Sequence, residues 1–137
     1  MTANLNPYLT CDGNAREVME FYAAALGGKL DVQTFGDFGA PVSEAYKDKI
    51  MHAQLDADGL VLMASDPMEG QPPTAGDNIS LSLSGGPQDR ERLTAAFAAL
   101  SEGGTTTMPL GDAPWGAVFG MFRDKYGISW LVNIEKG

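Results

Sequence analysis

The chain repeats itself. In each half a short extended run turns into an amphipathic helix, the helix stops at a Gly-Gly pair, a second extended run follows, and a hairpin closes the unit. In the first half the markers are Phe21, Leu26, Gly27-Gly28 and a hairpin from Met51 to Ala64, with turn residues Asp56-Ala57-Asp58-Gly59. In the second they are Phe97, Leu100, Gly103-Gly104 and a hairpin from Val118 to Val132, turning at Asp124-Lys125-Tyr126-Gly127. The spacing from Phe to Gly is the same in both helices. Solenoids stack three or more units, so this is a duplicated supersecondary unit. The expectation is that two such units curl their sheets around a shared cavity, where function would sit. A doubly wound parallel sheet is excluded, because it needs a helix at every crossover and each half ends in a hairpin. No Gly-x-Gly-x-x-Gly or phosphate-binding loop follows a strand, so nucleotide binding falls away.

Residues 4–10 read as a strand. Asn14 is placed as a helix N-cap with Glu17 in the capping-box position. Val18, Phe21, Tyr22, Ala25 and Leu26 then share one helical face. Residues 29–35 read as a strand, 36–49 as a loop with a short helix around Ser43 to Lys47, and 50–55 with 60–65 as a hairpin. Residues 66–77 are rich in Pro and Gly and read as a linker. Ile79, Leu81 and Leu83 alternate with Asn78, Ser80, Ser82 and Ser84, which predicts a strand with one polar face. Pro87 opens the second helix, whose buried stripe is Leu93, Ala96, Phe97 and Leu100. Residues 105–110 read as a strand, and residues 112–116 as a loop carrying Trp115 before the last hairpin. The expected fold is α+β: two βαβββ modules (4–66 and 78–135, joined by 67–77) within one domain, 1–137, forming a curved mixed sheet around a cavity.

Length and charge narrow the function. A chain of 137 residues suits one domain with a sizeable core. The net charge is −9, and the 9 basic residues are scattered. Nucleic acid and anionic membranes are therefore not expected partners, since both need clustered Lys and Arg. No apolar run approaches the roughly 20 residues that span a bilayer, and no secretory signal is evident. The single cysteine, Cys11, cannot form an internal disulfide, so a cytoplasmic location is expected. Cys11 is expected to be a buried, inert thiol; a nucleophile would need a base or helix N-terminus to lower its pKa.

With the modules placed, several blocks are similar to the vicinal oxygen chelate superfamily (glyoxalases, bleomycin resistance proteins, extradiol dioxygenases), and within it to the PhnB-like branch. They are Asn6-Pro7-Tyr8-Leu9, Gly13-Asn14-Ala15, Phe21-Tyr22, Gly27-Gly28, Lys49-Ile50-Met51-His52-Ala53 and Met63-Ala64-Ser65-Asp66 in the first half. The second half adds Met108-Pro109-Leu110, Trp115-Gly116-Ala117, Phe119-Gly120-Met121, Asp124-Lys125-Tyr126-Gly127-Ile128 and Trp130. The resemblance implies a glyoxalase-like fold and a homodimer. In metal-dependent members each module supplies two ligands, one from its first strand and one from its last. The matching positions here are Pro7, Met63, Asn78 and Leu131. Pro and Leu cannot ligate a divalent metal, and Met and Asn are poor substitutes for His and Glu. No metal and no cofactor are expected.

The candidate ligand-binding residues are His52, Met63, Asn78, Ser80, Trp115, Leu131 and Asn133. His52, the one histidine, is the catalytic candidate. A two-residue turn at Ala57-Asp58 would set it opposite Met63 on the cavity side, as an acid/base or hydrogen-bonding group. A three-residue turn would send it to the helix side, and a structural histidine held in a strand is the ordinary alternative. Trp115 is a candidate for stacking on a ligand, with core or dimer packing equally open, while strand parity sends Trp130 to the core. The concave lining predicted by parity is Pro7, Met63, Asn78, Ser80, Leu131 and Asn133. It suits an uncharged small organic molecule bound for sequestration or sensing. The alternatives are a glyoxalase-like lyase, isomerase or dioxygenase with an atypical site, and a structural dimer whose cavity is collapsed.

Overall fold

A computed structural model of the chain describes residues 3–137, which divide into one unit running to Ala75 and a second from Gly76 to Gly137. In order, the first unit holds β1 (Tyr8–Thr10), α1 (Ala15–Leu26), β2 (Lys29–Thr34), β3 (Ile50–Ala57) and β4 (Leu60–Ser65). The second holds β5 (Ser80–Gly85), α2 (Arg90–Ser101), β6 (Thr105–Asp112), β7 (Ala117–Arg123) and β8 (Ser129–Glu135). Each unit is one four-stranded mixed sheet, ordered β1-β4-β3-β2 and β5-β8-β7-β6. In both, the first strand pairs parallel to the last and the other pairs are antiparallel. This is the α+β architecture of two βαβββ modules read from the repeat.

The first core forms where α1 lays Ala15, Val18, Met19 and Tyr22 over one face of its sheet. The facing strand residues are small or aliphatic: Ala53, Leu55 and Ala57 of β3, with Leu62 and Ala64 of β4. Phe21 is only half-buried, so the buried stripe is rotated from the predicted one and runs through Met19. In the second unit the stripe Leu93, Ala96, Phe97 and Leu100 is buried as predicted. Phe97 rests where Gly120 leaves room for it; a Cβ there would lie 2.7 Å from the Phe97 ring. Phe97 meets Phe122 edge-on at 4.9 Å, and Phe122 stacks on Trp130 at 6.2 Å. The helix exit is packed against the hairpin. Gly28 has φ +95°, and a Cβ there would run into the Asp56 carbonyl and stand 2.6 Å from Ala57 Cα. Only glycine combines that φ with that approach.

Two buried carboxylates hold the loops. Asp66 accepts from Ala15 N at 3.0 Å and from Ile50 N at 2.9 Å. It therefore supplies the helix cap expected of Asn14, whose side chain makes no cap bond. Asp124 accepts from Tyr126 N (2.9 Å), Ile128 N (3.1 Å) and the Trp130 indole (2.9 Å), fixing the last hairpin.

Several expectations are corrected. The first strand begins at Tyr8, not Asn4, and β5 begins at Ser80, which leaves Ile79 77 % exposed rather than buried. The first hairpin turns at Asp58-Gly59, because β3 continues to Ala57, which pairs with Leu60. Both turn residues have positive φ (48° and 91°), the geometry that suits a two-residue turn between right-twisted strands. Residues 87–89 form a short 3-10 turn ahead of α2, and a second such turn, 36–38, was not anticipated alongside 44–46.

Candidate functional site

Each sheet has a face turned away from its helix, and strand register says which side chains occupy it. In the first unit Tyr8 pairs with Met63 across β1 and β4, and Gln54 pairs with Met63 across β3 and β4. Cross-strand partners share a face. The helix-free face therefore carries Tyr8, Met63, Ser65, His52, Gln54 and Asp56, while Ala53, Leu55 and Ala57 lie under α1. The predicted turn was off by one residue at each end, so Gln54 rather than His52 lies opposite Met63. Parity is preserved because the turn still has two residues, and His52 stands on the face away from the helix. Pro7 precedes β1, and the position sharing Met63's face is occupied by Tyr8 instead. Pro7 still contributes its carbonyl, which accepts from Met63 N at 3.1 Å.

Tyr8 was missed by sequence reasoning. Its hydroxyl lies 3.2 Å from His52 Nδ1, with ring centroids 5.7 Å apart and ring planes 36° apart. The phenol reaches this position by crossing over β4, two strands away from its partner. Along the same face Gln54 Nε2 donates to both Asp56 oxygens, at 3.2 and 3.3 Å.

In the second unit Ser82 pairs with Leu131, Ser84 with Asn133, Met121 with Leu131 and Phe119 with Asn133. These line the face opposite α2, together with Ser80 and Ser129. Trp130, Val132 and Ile134 are buried on the other side. Trp130 is core, as its parity predicted. Asn78 does not join this face: it sits in an exposed bend ahead of β5. Trp115 is 59 % exposed, yet its position is defined: Nε1 donates to Asn133 Oδ1 at 2.9 Å, and its ring meets Phe119 edge-on at 5.1 Å. Of the predicted residues, the structure brings together Trp115, Asn133 and Leu131 in the second unit, with Ser80 toward the start of that face, and His52 and Met63 in the first.

A divalent metal does not fit the positions the resemblance marks. Pro7 and Leu131 offer no side-chain donor, Asn78 lies outside its strand, and Met63 brings a soft thioether. Among the described residues no three His, Cys, Asp or Glu side chains gather into a ligating cluster. Cys11 is buried, and its amide donates to Ser65 O at 2.8 Å. A shallow hollow of about 610 Å³ runs along the outer side of α2 between Pro87, Arg90, Thr94 and Ala98. None of the predicted site residues borders it. No helix among the described residues is long and apolar enough to cross a membrane.

A family model described as the Glyoxalase/Bleomycin resistance protein/Dioxygenase superfamily matches residues 4–132. Protein YjdN of Escherichia coli (strain K12) is 28 % identical over 144 residues, covering 96 % of this chain and 95 % of that protein. The crystal structure of PA1353 from Pseudomonas aeruginosa is 40 % identical with a TM-score of 0.85, covering 99 % of this chain and all of the other (100 %). A PhnB protein from Bacillus cereus is 25 % identical with a TM-score of 0.73, covering 96 % and 99 % of the two chains.

Proposed function

Because the chain belongs to the Glyoxalase/Bleomycin resistance protein/Dioxygenase superfamily, yet carries side chains unsuited to the metal at the marked positions, we propose that it binds an uncharged small organic molecule without a metal. The observation that carries this reading is Trp115. A large indole left mostly in water, but locked by one hydrogen bond and one aromatic contact, is a preformed stacking surface. Ordering it in advance spares a ligand that cost, and an aromatic pair adds about 0.5–1.5 kcal/mol beyond area burial. Met121 and Leu131 supply apolar surface beside it, and Ser82 and Ser84 supply hydroxyls. Of the charged groups on these strands, Arg123 and Glu135 stand toward the ends, and the Glu135 carboxylate is occupied by Asn133 Nδ2, which donates to it at 3.1 Å. This balance favours a neutral ligand over a phosphate or a metal chelate.

The protein works as a homodimer in the cytoplasm on this reading. Each four-stranded sheet ends in strands bonded on one side only, and such edges favour pairing with another chain. The lone thiol suits a reducing compartment. Native mass spectrometry of protein purified without chelator tests all parts. The expected species is a dimer carrying an organic mass, which Trp115→Phe weakens or loses. A metal-loaded chain without organic ligand would overturn the binding proposal, and a monomer at micromolar concentration would overturn the dimer.

A further inference from the structure

We propose that Tyr8 and His52 form a proton-transfer site that interconverts the keto and enol forms of a small neutral carbonyl compound. This goes beyond ligand binding and stands on first-unit residues alone, whereas Trp115 belongs to the second.

His52 is the one histidine of the chain and is half-buried on the face opposite α1. The Tyr8 hydroxyl engages Nδ1 at 3.2 Å. Among the described residues each is the other's one polar side-chain partner, so Nε2 has no protein group to bond. The ring is therefore held through one nitrogen and offers the other. A neutral imidazole carries one donor and one acceptor, and a phenol can do either. With the proton on Nδ1, that N–H donates to Tyr8 Oη, the phenolic O–H is free to donate outward, and Nε2 is free to accept. The pair then presents an acceptor and a donor to one ligand.

A carbonyl compound with an α-hydrogen matches that pattern. Nε2 takes the α-proton, and the C–H electron pair becomes the new C=C bond. The C=O π pair takes the Tyr8 hydroxyl proton, and Nδ1 passes its proton to Tyr8 Oη. The substrate leaves as its enol and the imidazole as its other tautomer, with Tyr8 again a phenol. The reverse step, run on an enol, restores the starting state. No net charge, oxidant or second reactant is needed.

The surroundings suit a neutral substrate. Gln33 faces His52 across β2 and Met63 lies beside the pair, opposite Tyr8. The nearest charges on this face are further along the strands: Asp31 opposite Gln54, Asp56 held by Gln54, and Lys29 opposite Asp56. The carboxylates would repel an anion.

The test is exchange of the α-protons of phenylacetone in D₂O, followed by ¹H NMR. Wild type is expected to exceed the buffer rate. His52→Gln and Tyr8→Phe should each lose roughly a hundredfold or more of the enzymatic rate, the range general acid–base groups supply. The double variant should be no worse than the worse single, since the two act as one relay. Because there is one histidine, ¹⁵N ring shifts report the pair directly, and Tyr8→Phe should move the Nδ1 signal in a chain whose urea midpoint is unchanged. Exchange at the buffer rate in wild type, exchange unaffected by His52→Gln, or an unmoved Nδ1 signal would each overturn the proposal.

Discussion

Asp124→Ala is expected to destabilise the second unit by about 3–5 kcal/mol, the range for breaking a buried hydrogen-bond network on a charged group. The carboxylate is 3 % exposed and accepts three N–H groups, two from backbone and one from the Trp130 indole. Each bond to a charged acceptor is worth about 1.5–3 kcal/mol net, and the values do not add fully. Tyr126 and Ile128 are part-exposed, so water can recover some of the loss at their amides. Trp130 is 3 % exposed, and its stranded indole N–H costs a further ~1–3 kcal/mol of unmet desolvation. Losing the buried charge offsets part of this. Asp124→Asn separates the contributions: its carbonyl can still take the two backbone amides, but its NH₂ opposes the indole N–H, so it recovers only part of the loss. Urea unfolding read by tryptophan fluorescence reports this unit directly, since both tryptophans lie within it. With a urea slope of about 2 kcal/mol/M, the Ala variant should lower the midpoint by about 2 M. A shift below about 0.5 M would refute the network as a stabilising element.

Phe97→Ala should cost about 3–5 kcal/mol, because it empties the space over Gly120 and beside Phe122, whereas half-buried Phe21→Ala should cost about half of that; equal losses would contradict the rotated stripe on α1. Elemental analysis after dialysis should find no stoichiometric divalent metal, and about one zinc, nickel or iron per chain would overturn the reading of Met63 and Leu131. Ser43 donates from both Oγ and N to Glu69, and the Thr34 amide donates to Asp37 at 2.8 Å; these bonds hold both carboxyls below their ordinary values of 4.5 and 3.8. The Lys136 ammonium does the same for Asp112 through an ion pair of 2.8 Å. Depressed folded values give stability that is present above the ordinary values and lost as pH falls through the folded ones, so the melting temperature should fall below about pH 4.5 and Glu69→Gln should flatten that fall; a melting temperature that rises on acidification would refute it.

How far the sequence reached is clearest at the two hairpins. The doubled pattern, the Gly-Gly helix ends and the alternation in residues 80–84 are local signals, carried by neighbours in the chain, and they were enough for the two-module fold and the core role of Trp130. Chemistry that is absent is also local: no arrangement of Pro7, Met63, Asn78 and Leu131 makes four good metal ligands. Which side chains meet was decided by tertiary structure. The Asp58-Gly59 turn shifts the pairing of β3 with β4 by two positions, placing Gln54 instead of His52 opposite Met63, and the parallel pairing of β1 with β4 sets Tyr8 on the same face as His52. Asp66 replaces Asn14 at the helix start from far along the chain, and Asn133 holds Trp115 across a strand and a loop. Periodicity says which face a residue takes relative to its neighbours. It carries no information on the pairing of strands separated by a helix, because that depends on turn geometry and on how the whole sheet packs against its helix.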